Sequence, residues 1–191
     1  MVNNSKIEIC ESYKIFLPPS WVHRSVTRLI NGVPEKYTGG LHSIILTNTD
    51  GLNHSRRRQK TISRKRKVSV IECRGLYHQK WQGKPATIEL FVDKIIHRWP
   101  VIVLRVPLVQ DLLLADVLYH ELGHHIHKTC APEHREREDV AEEWQKKIGR
   151  HYFRQNYKWI KPFRIILKPI VALLLKIVRH FQRKTKRQEA N

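Results

Sequence analysis

Between residues 111 and 128 the apolar positions Leu112, Leu113, Leu114, Val117, Leu118, Leu122 and Ile126 recur at helical spacing. The pattern predicts a buried helix over 111–128, with Asp111 as its N-cap. After Pro132 a second helical pattern begins, in which Val140, Ala141, Trp144 and Ile148 define the buried side. The first half of the chain reads differently. Runs 41–46, 68–73 and 86–92 are rich in β-branched residues, and in the last Ile88, Leu90 and Val92 alternate with Thr87, Glu89 and Phe91. These runs predict a small, mainly antiparallel sheet, so the chain as a whole reads as α+β.

From Trp159 the pattern changes again. On a helical wheel Lys161, Arg164, Lys168, Lys176, Arg179, Arg183 and Lys186 gather on one side and most aliphatic residues face the other. Lysines interrupt the apolar run that a membrane span requires. The expectation is a basic amphipathic helix starting at Pro169, which either lies on an anionic membrane surface or packs on the domain or a partner. Residues 1–158 then form one domain and 159–191 a separate C-terminal segment.

Charge adds a location to this outline. The 191 residues hold 36 Lys plus Arg against 17 Asp plus Glu, a formal net charge of +19. A hydrophobic content of 41% is enough for one core and excludes a disordered basic protein. Much of the excess lies in residues 54–67, which contain eight Lys and Arg and read as a loop or hairpin tip, and in residues 168–187. Both segments suit the phosphates of nucleic acid or of an anionic membrane surface. No regular aromatic pattern for base stacking accompanies them. Cys10, Cys73 and Cys130 are widely spaced and include no Cys-x-x-Cys pair, which argues against a disulfide framework and a thiolate metal site. With no apolar leader at the N-terminus, the expected location is cytoplasmic, peripheral to the membrane where the C-terminal helix makes contact.

The chemistry is concentrated in His120-Glu121-Leu122-Gly123-His124. Two imidazoles four residues apart on a helix point the same way and can grip one zinc ion, and the intervening Glu121 can take a proton from water at that ion. Gly123 reads as leaving open space against the metal. Catalytic zinc has three protein ligands as a rule. Glu138, near the packed face of the second helix, is the choice for the third; His127 on the first helix and His134 in the connection are its rivals.

This arrangement resembles the gluzincin type of zinc metallopeptidase, including the small single-domain members that cut phage and mobile-element repressors. His120, Glu121 and His124 match the first part of that pattern, and Glu138-Asp139-Val140-Ala141-Glu142-Glu143-Trp144 looks like the second. The resemblance implies that Glu142 receives the other ring N–H of a ligand histidine. It also implies a sheet lying over the metal helix whose edge strand takes the substrate as an added strand. Residues 86–93 are the candidate edge, with an internal strand as the alternative. The expected function is zinc-dependent hydrolysis of a protein or peptide, with Glu121 as general base. Two other readings stand beside it. One is a nucleic-acid- or membrane-binding protein whose metal site is structural or vestigial. The other is a DNA-associated protease of the SprT-like type, which uses a third histidine and would place His134 on the metal.

Overall fold

The computed structural model describes residues 7–63, 66–130 and 138–160, and the proposed helix from Pro169 lies outside them. The chain is α+β. Strand β1 (Glu8–Ser12) is followed by helix α1 (Trp21–Asn31) and strand β2 (Leu41–Thr47). Then come a short basic helix α2 (His54–Arg58), a hairpin of β3 (Lys60–Ser63) and β4 (Arg66–Ser69), and strands β5 (Gly75–His78) and β6 (Ala86–Phe91). Short helices α3 (Val92–Ile96) and α4 (Val101–Leu104) lead into the long helices α5 (Pro107–Cys130) and α6 (Glu138–Asn156).

The four-stranded sheet has the order β1-β2-β6-β5. It is mixed, and this corrects the expectation of a mainly antiparallel sheet: β2 pairs parallel with both β1 and β6, and only β5–β6 is antiparallel. The connections explain the difference. Parallel neighbours need a crossover, and α1 supplies it between β1 and β2. The link between β5 and β6 is short and turns at Gly83, whose φ of 81° favours glycine. Strand β6 is internal, lying between β2 and β5, so residues 86–93 are not an edge; β1 and β5 are the edges, and β5 is the one beside β6. Its burial fits, since Ala86, Ile88, Glu89, Leu90 and Phe91 are all buried.

Alternation divides β6 between two cores. Ile88 and Leu90 join Ile44 and Leu46 of β2, Val26 and Leu29 of α1, and Leu114, Leu118, Leu122 and Ile126 of α5. Phe91 instead packs with Leu52 and Val70 beneath the basic segment. Residues 54–67 are therefore partly helix and partly hairpin. Arg56 donates to both carboxylate oxygens of buried Glu89, at 3.0 and 2.6 Å, and His78 lies 3.1 Å from the same group. Burial pushes the Glu89 carboxyl up, but these partners outweigh it and hold the pKa below the ordinary value. Part of the positive charge thus serves the fold.

Asp111 does not cap α5. The helix begins at Pro107, where a missing N–H costs nothing, and Asp111 lies one turn inside with no exposed surface. Its Oδ2 accepts from Arg28 Nε at 3.1 Å, Tyr152 Oη at 2.8 Å and Tyr157 Oη at 2.7 Å. One carboxylate therefore joins α1, α5 and the end of α6. Asp111→Ala should destabilise the fold by roughly 1–3 kcal/mol, because it strands the buried Tyr152 hydroxyl and unties Arg28 and Tyr157 from α5. Urea unfolding at pH 7 would measure it, and a loss under about 1 kcal/mol would contradict the assignment.

Among the described residues no helix is long and apolar enough to cross a membrane.

Candidate metal centre

One face of α5 carries His120 and His124 a single turn apart, with Nε2 atoms 3.3 Å from each other. Glu138, at the first position of α6, brings Oε2 to 3.3 Å from the His120 nitrogen and 3.8 Å from that of His124. Three electron-pair donors from two consecutive helices thus converge in space, and together they can hold a metal ion. His124 is buried and His120 half-buried. Burial, and then the neighbouring His124, lower the pKa of His120 against the pull of Glu138, Glu142 and Asp116. A neutral imidazole is the form that binds metal.

Gly123 has a different role from the one its sequence position suggests. A Cβ there would lie 2.6 Å from the carbonyl oxygen of Ala141 and 2.8 Å from its Cα. The glycine lets the backbone of α6 come against α5, one turn from the residue that completes the donor set. Gly123→Ala should push α6 outward and weaken the affinity of this donor group for a metal ion roughly tenfold, comparable to the loss of a residue that orients a ligand. Competition titration with a chelating dye would read the change, and unaltered affinity in a folded variant would contradict it.

Glu121 faces strand β5. It is 8% exposed, and its carboxyl is pushed up to about 7, first by burial and then by the charge of Glu138. His124, the backbone N–H of Tyr77 and His78 oppose the shift. The strand comes this close because residue 75 is glycine: a Cβ would meet Val117 Cγ1 at 2.6 Å and Glu121 Cγ at 2.9 Å. The pairing register also sets what β5 offers. Arg74 O accepts from Phe91 N–H, so Arg74, Leu76 and His78 turn their backbone groups toward β6, while those of Gly75 and Tyr77 point away from it, the Tyr77 N–H to Glu121.

A cleft of about 420 Å³ opens between β5, the β3–β4 hairpin and the two long helices, and His120, Glu121, His124 and Glu138 all line it. Cys73 lies in its wall, and burial, Glu121 and Glu72 raise its thiol pKa to about 11, far from a reactive thiolate.

Of the other predicted residues, Glu142 follows Glu138 by one turn, and its charge acts on His120. His127 is buried and does not belong to the donor group. His134 lies outside the described residues. Sequence reasoning does not single out Tyr77, Gly75 or His125. His125 is fully buried, with Nε2 3.1 Å from the carbonyl oxygen of Gly39 and Nδ1 3.2 Å from Tyr77 Oη. A carbonyl only accepts, so Nε2 carries the proton and Nδ1 accepts from the tyrosine. The ring thereby ties β5 to α5. The available signal is the adjacent pair His124-His125, because neighbouring residues on a helix face different directions and need different partners.

No protein-family model, curated protein or solved structure matches the chain.

Proposed function

We propose that the protein is a zinc-dependent metallopeptidase of gluzincin type, in which His120, His124 and Glu138 bind the metal and Glu121 is the general base. The observation that carries this reading is the spacing of the donor atoms. Tetrahedral zinc with bonds of about 2.0–2.1 Å sets its ligands roughly 3.3–3.4 Å apart. The two separations of 3.3 Å match it, the third is longer at 3.8 Å, and three protein donors leave one position for a reactant.

When bound there, zinc supplies a Lewis acid and makes water a nucleophile near neutral pH. The residues around it supply the rest. Glu121 receives the proton of the attacking water and passes it to the leaving amide nitrogen. Its carboxyl titrates near neutrality in the metal-free protein, which suits a group that must take and return a proton. Strand β5 positions the substrate: an extended peptide laid beside it meets the outward backbone groups of Gly75, while the Tyr77 N–H holds Glu121 next to them. The β3–β4 hairpin walls the other side of the cleft through Thr61 and Val68.

Metal analysis with a peptide digest tests the proposal. The purified protein should hold one zinc per chain and cleave a proteome-derived peptide mixture. A chelator should stop cleavage and added zinc restore it. Folded, zinc-loaded protein that cleaves nothing in such a mixture would overturn the reading.

A further inference from the structure

We propose that the end of the molecule where α5 begins and α6 finishes is a docking surface for an anionic lipid bilayer. Such docking is independent of the chemistry at the metal cleft and gives the protein a place to act.

Topology brings several parts of the chain to this end. Strands β1, β2 and β6 run parallel, so the loop after β1 (residues 13–20) and helices α3 and α4 after β6 leave the sheet from the same end. Hydrogen bonds join them there. Asn48 bonds both backbone groups of Lys14, at 2.9 and 2.8 Å, and the Thr49 N–H donates to Asp93 of α3 at 3.1 Å. Helix α5 then runs back along the sheet: Val117 lies against Gly75, which pairs with Leu90 late in β6, whereas His125 reaches Gly39, just before β2 begins. Helix α6 is antiparallel to α5, because Gln145 bonds Asp116 and Tyr157 bonds Asp111, and this returns Trp159 to the end where α5 starts.

Exposed apolar side chains gather here. Among the described residues eight large ones stand open to solvent, and Ile15, Leu17, Val101, Ile102, Val106 and Trp159 all belong to this end; Leu112 lies just inside α5, and only Trp81 is at the far end of the sheet, before β6 starts. Ile15 is fully exposed although its φ of 59° is unfavourable for a β-branched residue, and the bonds of Lys14 to Asn48 hold it there. The charge around them has one sign. Residues 13–20, 94–110 and 150–160 contain seven Lys and Arg, all exposed, and no Asp or Glu. The acids that flank them, Glu11, Asp93 and Asp111, are engaged with His23, Thr49 and Arg28.

Aliphatic side chains set among cations, with a tryptophan beside them, suit the boundary of a bilayer: acyl chains receive the aliphatics, headgroup phosphates the cations, and the indole sits between. A nucleic-acid backbone would satisfy the cations but not the aliphatics, and protein interfaces deplete charge at their centres. From this end the chain continues into residues 161–187, whose sequence again mixes cations with aliphatic residues. The metal cleft stays clear, since His120 is thirteen residues after Pro107, about 20 Å along α5.

The test is sedimentation of the full-length protein with phosphatidylcholine vesicles, with and without phosphatidylserine. Wild type should bind the anionic vesicles, less tightly as salt rises, and the neutral ones more weakly. Val101→Ser combined with Ile102→Ser keeps every charge and alters side chains that are 72% and 67% exposed, so this variant should fold as wild type does. It should lower the partition coefficient for anionic vesicles about tenfold or more. Arg98→Gln combined with Arg105→Gln should also lower it and flatten the salt dependence, whereas Trp81→Ser, at the far end of the sheet, should leave it unchanged. No binding by wild type overturns the surface, and so does equal binding by the Val101, Ile102 variant, which would assign the lipid contact to another segment. Duplex DNA binding weakened by that same variant would overturn it in favour of nucleic acid, and dimerisation abolished by the variant would overturn it in favour of a second copy. Metal content and peptide cleavage are read separately, so each of these outcomes leaves the peptidase reading standing.

Discussion

Replacing Glu121 by Gln should leave zinc bound, reduce peptide hydrolysis by roughly 10²–10⁴-fold and make the metal-free protein more stable. The first two effects follow from position. Glu121 is not among the three converging donors, yet it lines the same cleft and is held against β5. Glutamine keeps the shape and an acceptor for the Tyr77 N–H but takes no proton at neutral pH. The stability effect follows from linkage. The carboxyl shifts from an ordinary 4.5 to about 7 in the folded, metal-free chain, so folding favours its neutral form. Below the unfolded value the group costs nothing. As pH rises the unfolded chain ionises first, and the penalty grows until the folded group ionises as well, reaching about 3 kcal/mol above pH 7. Urea unfolding in chelator should therefore show Glu121→Gln ahead by less than about 1 kcal/mol at pH 5 and by up to about 3 at pH 8. Equal stabilities at pH 8 would show that the carboxylate is not desolvated. Retained hydrolysis would remove Glu121 from the mechanism.

Glu138→Ala should abolish stoichiometric zinc, lowering affinity by more than about a hundredfold, beyond the roughly 10–100-fold typical of residues that only orient a ligand. His127→Ala, which removes a buried histidine outside the donor group, should keep one zinc per chain. Dialysed samples of the two variants, matched for folding by circular dichroism, separate the two roles. Zinc lost from His127→Ala and kept by Glu138→Ala would assign the third ligand to the wrong helix.

The donor set is legible in the sequence because it depends on local rules. His120 and His124 share a face through the helical repeat, and Glu138 sits at a fixed offset from the apolar positions Ala141 and Ile148 of the next helix. What surrounds it is not legible. Strand β5 is four residues long, begins with glycine and has no alternating apolar pattern, so the sequence offers only β6 as a candidate edge and leaves it open between edge and internal strand; its apolar run reflects burial on both faces. The direction of β1 against β2 depends on a crossover that no short window records. For Asp111 and Gly123 the sequence indicates the right helix and the wrong partners. An aspartate near a helix start is usually a cap, and a glycine near a metal suggests free space; only the approach of α1 and α6 makes one an internal anchor and the other a contact point.

The site also divides by distance along the chain. Its three candidate metal donors come from consecutive helices, whereas the groups that set the environment of Glu121, the Gly75 backbone and the Tyr77 N–H, come from a strand more than forty residues earlier. Closing the shorter segment loses less chain entropy, and the parallel strands need long crossovers before they pair. On the proposed reading, the helical pair can bring the donor set together before the sheet gives Glu121 its surroundings, so metal affinity and catalytic competence would arise at different stages of folding.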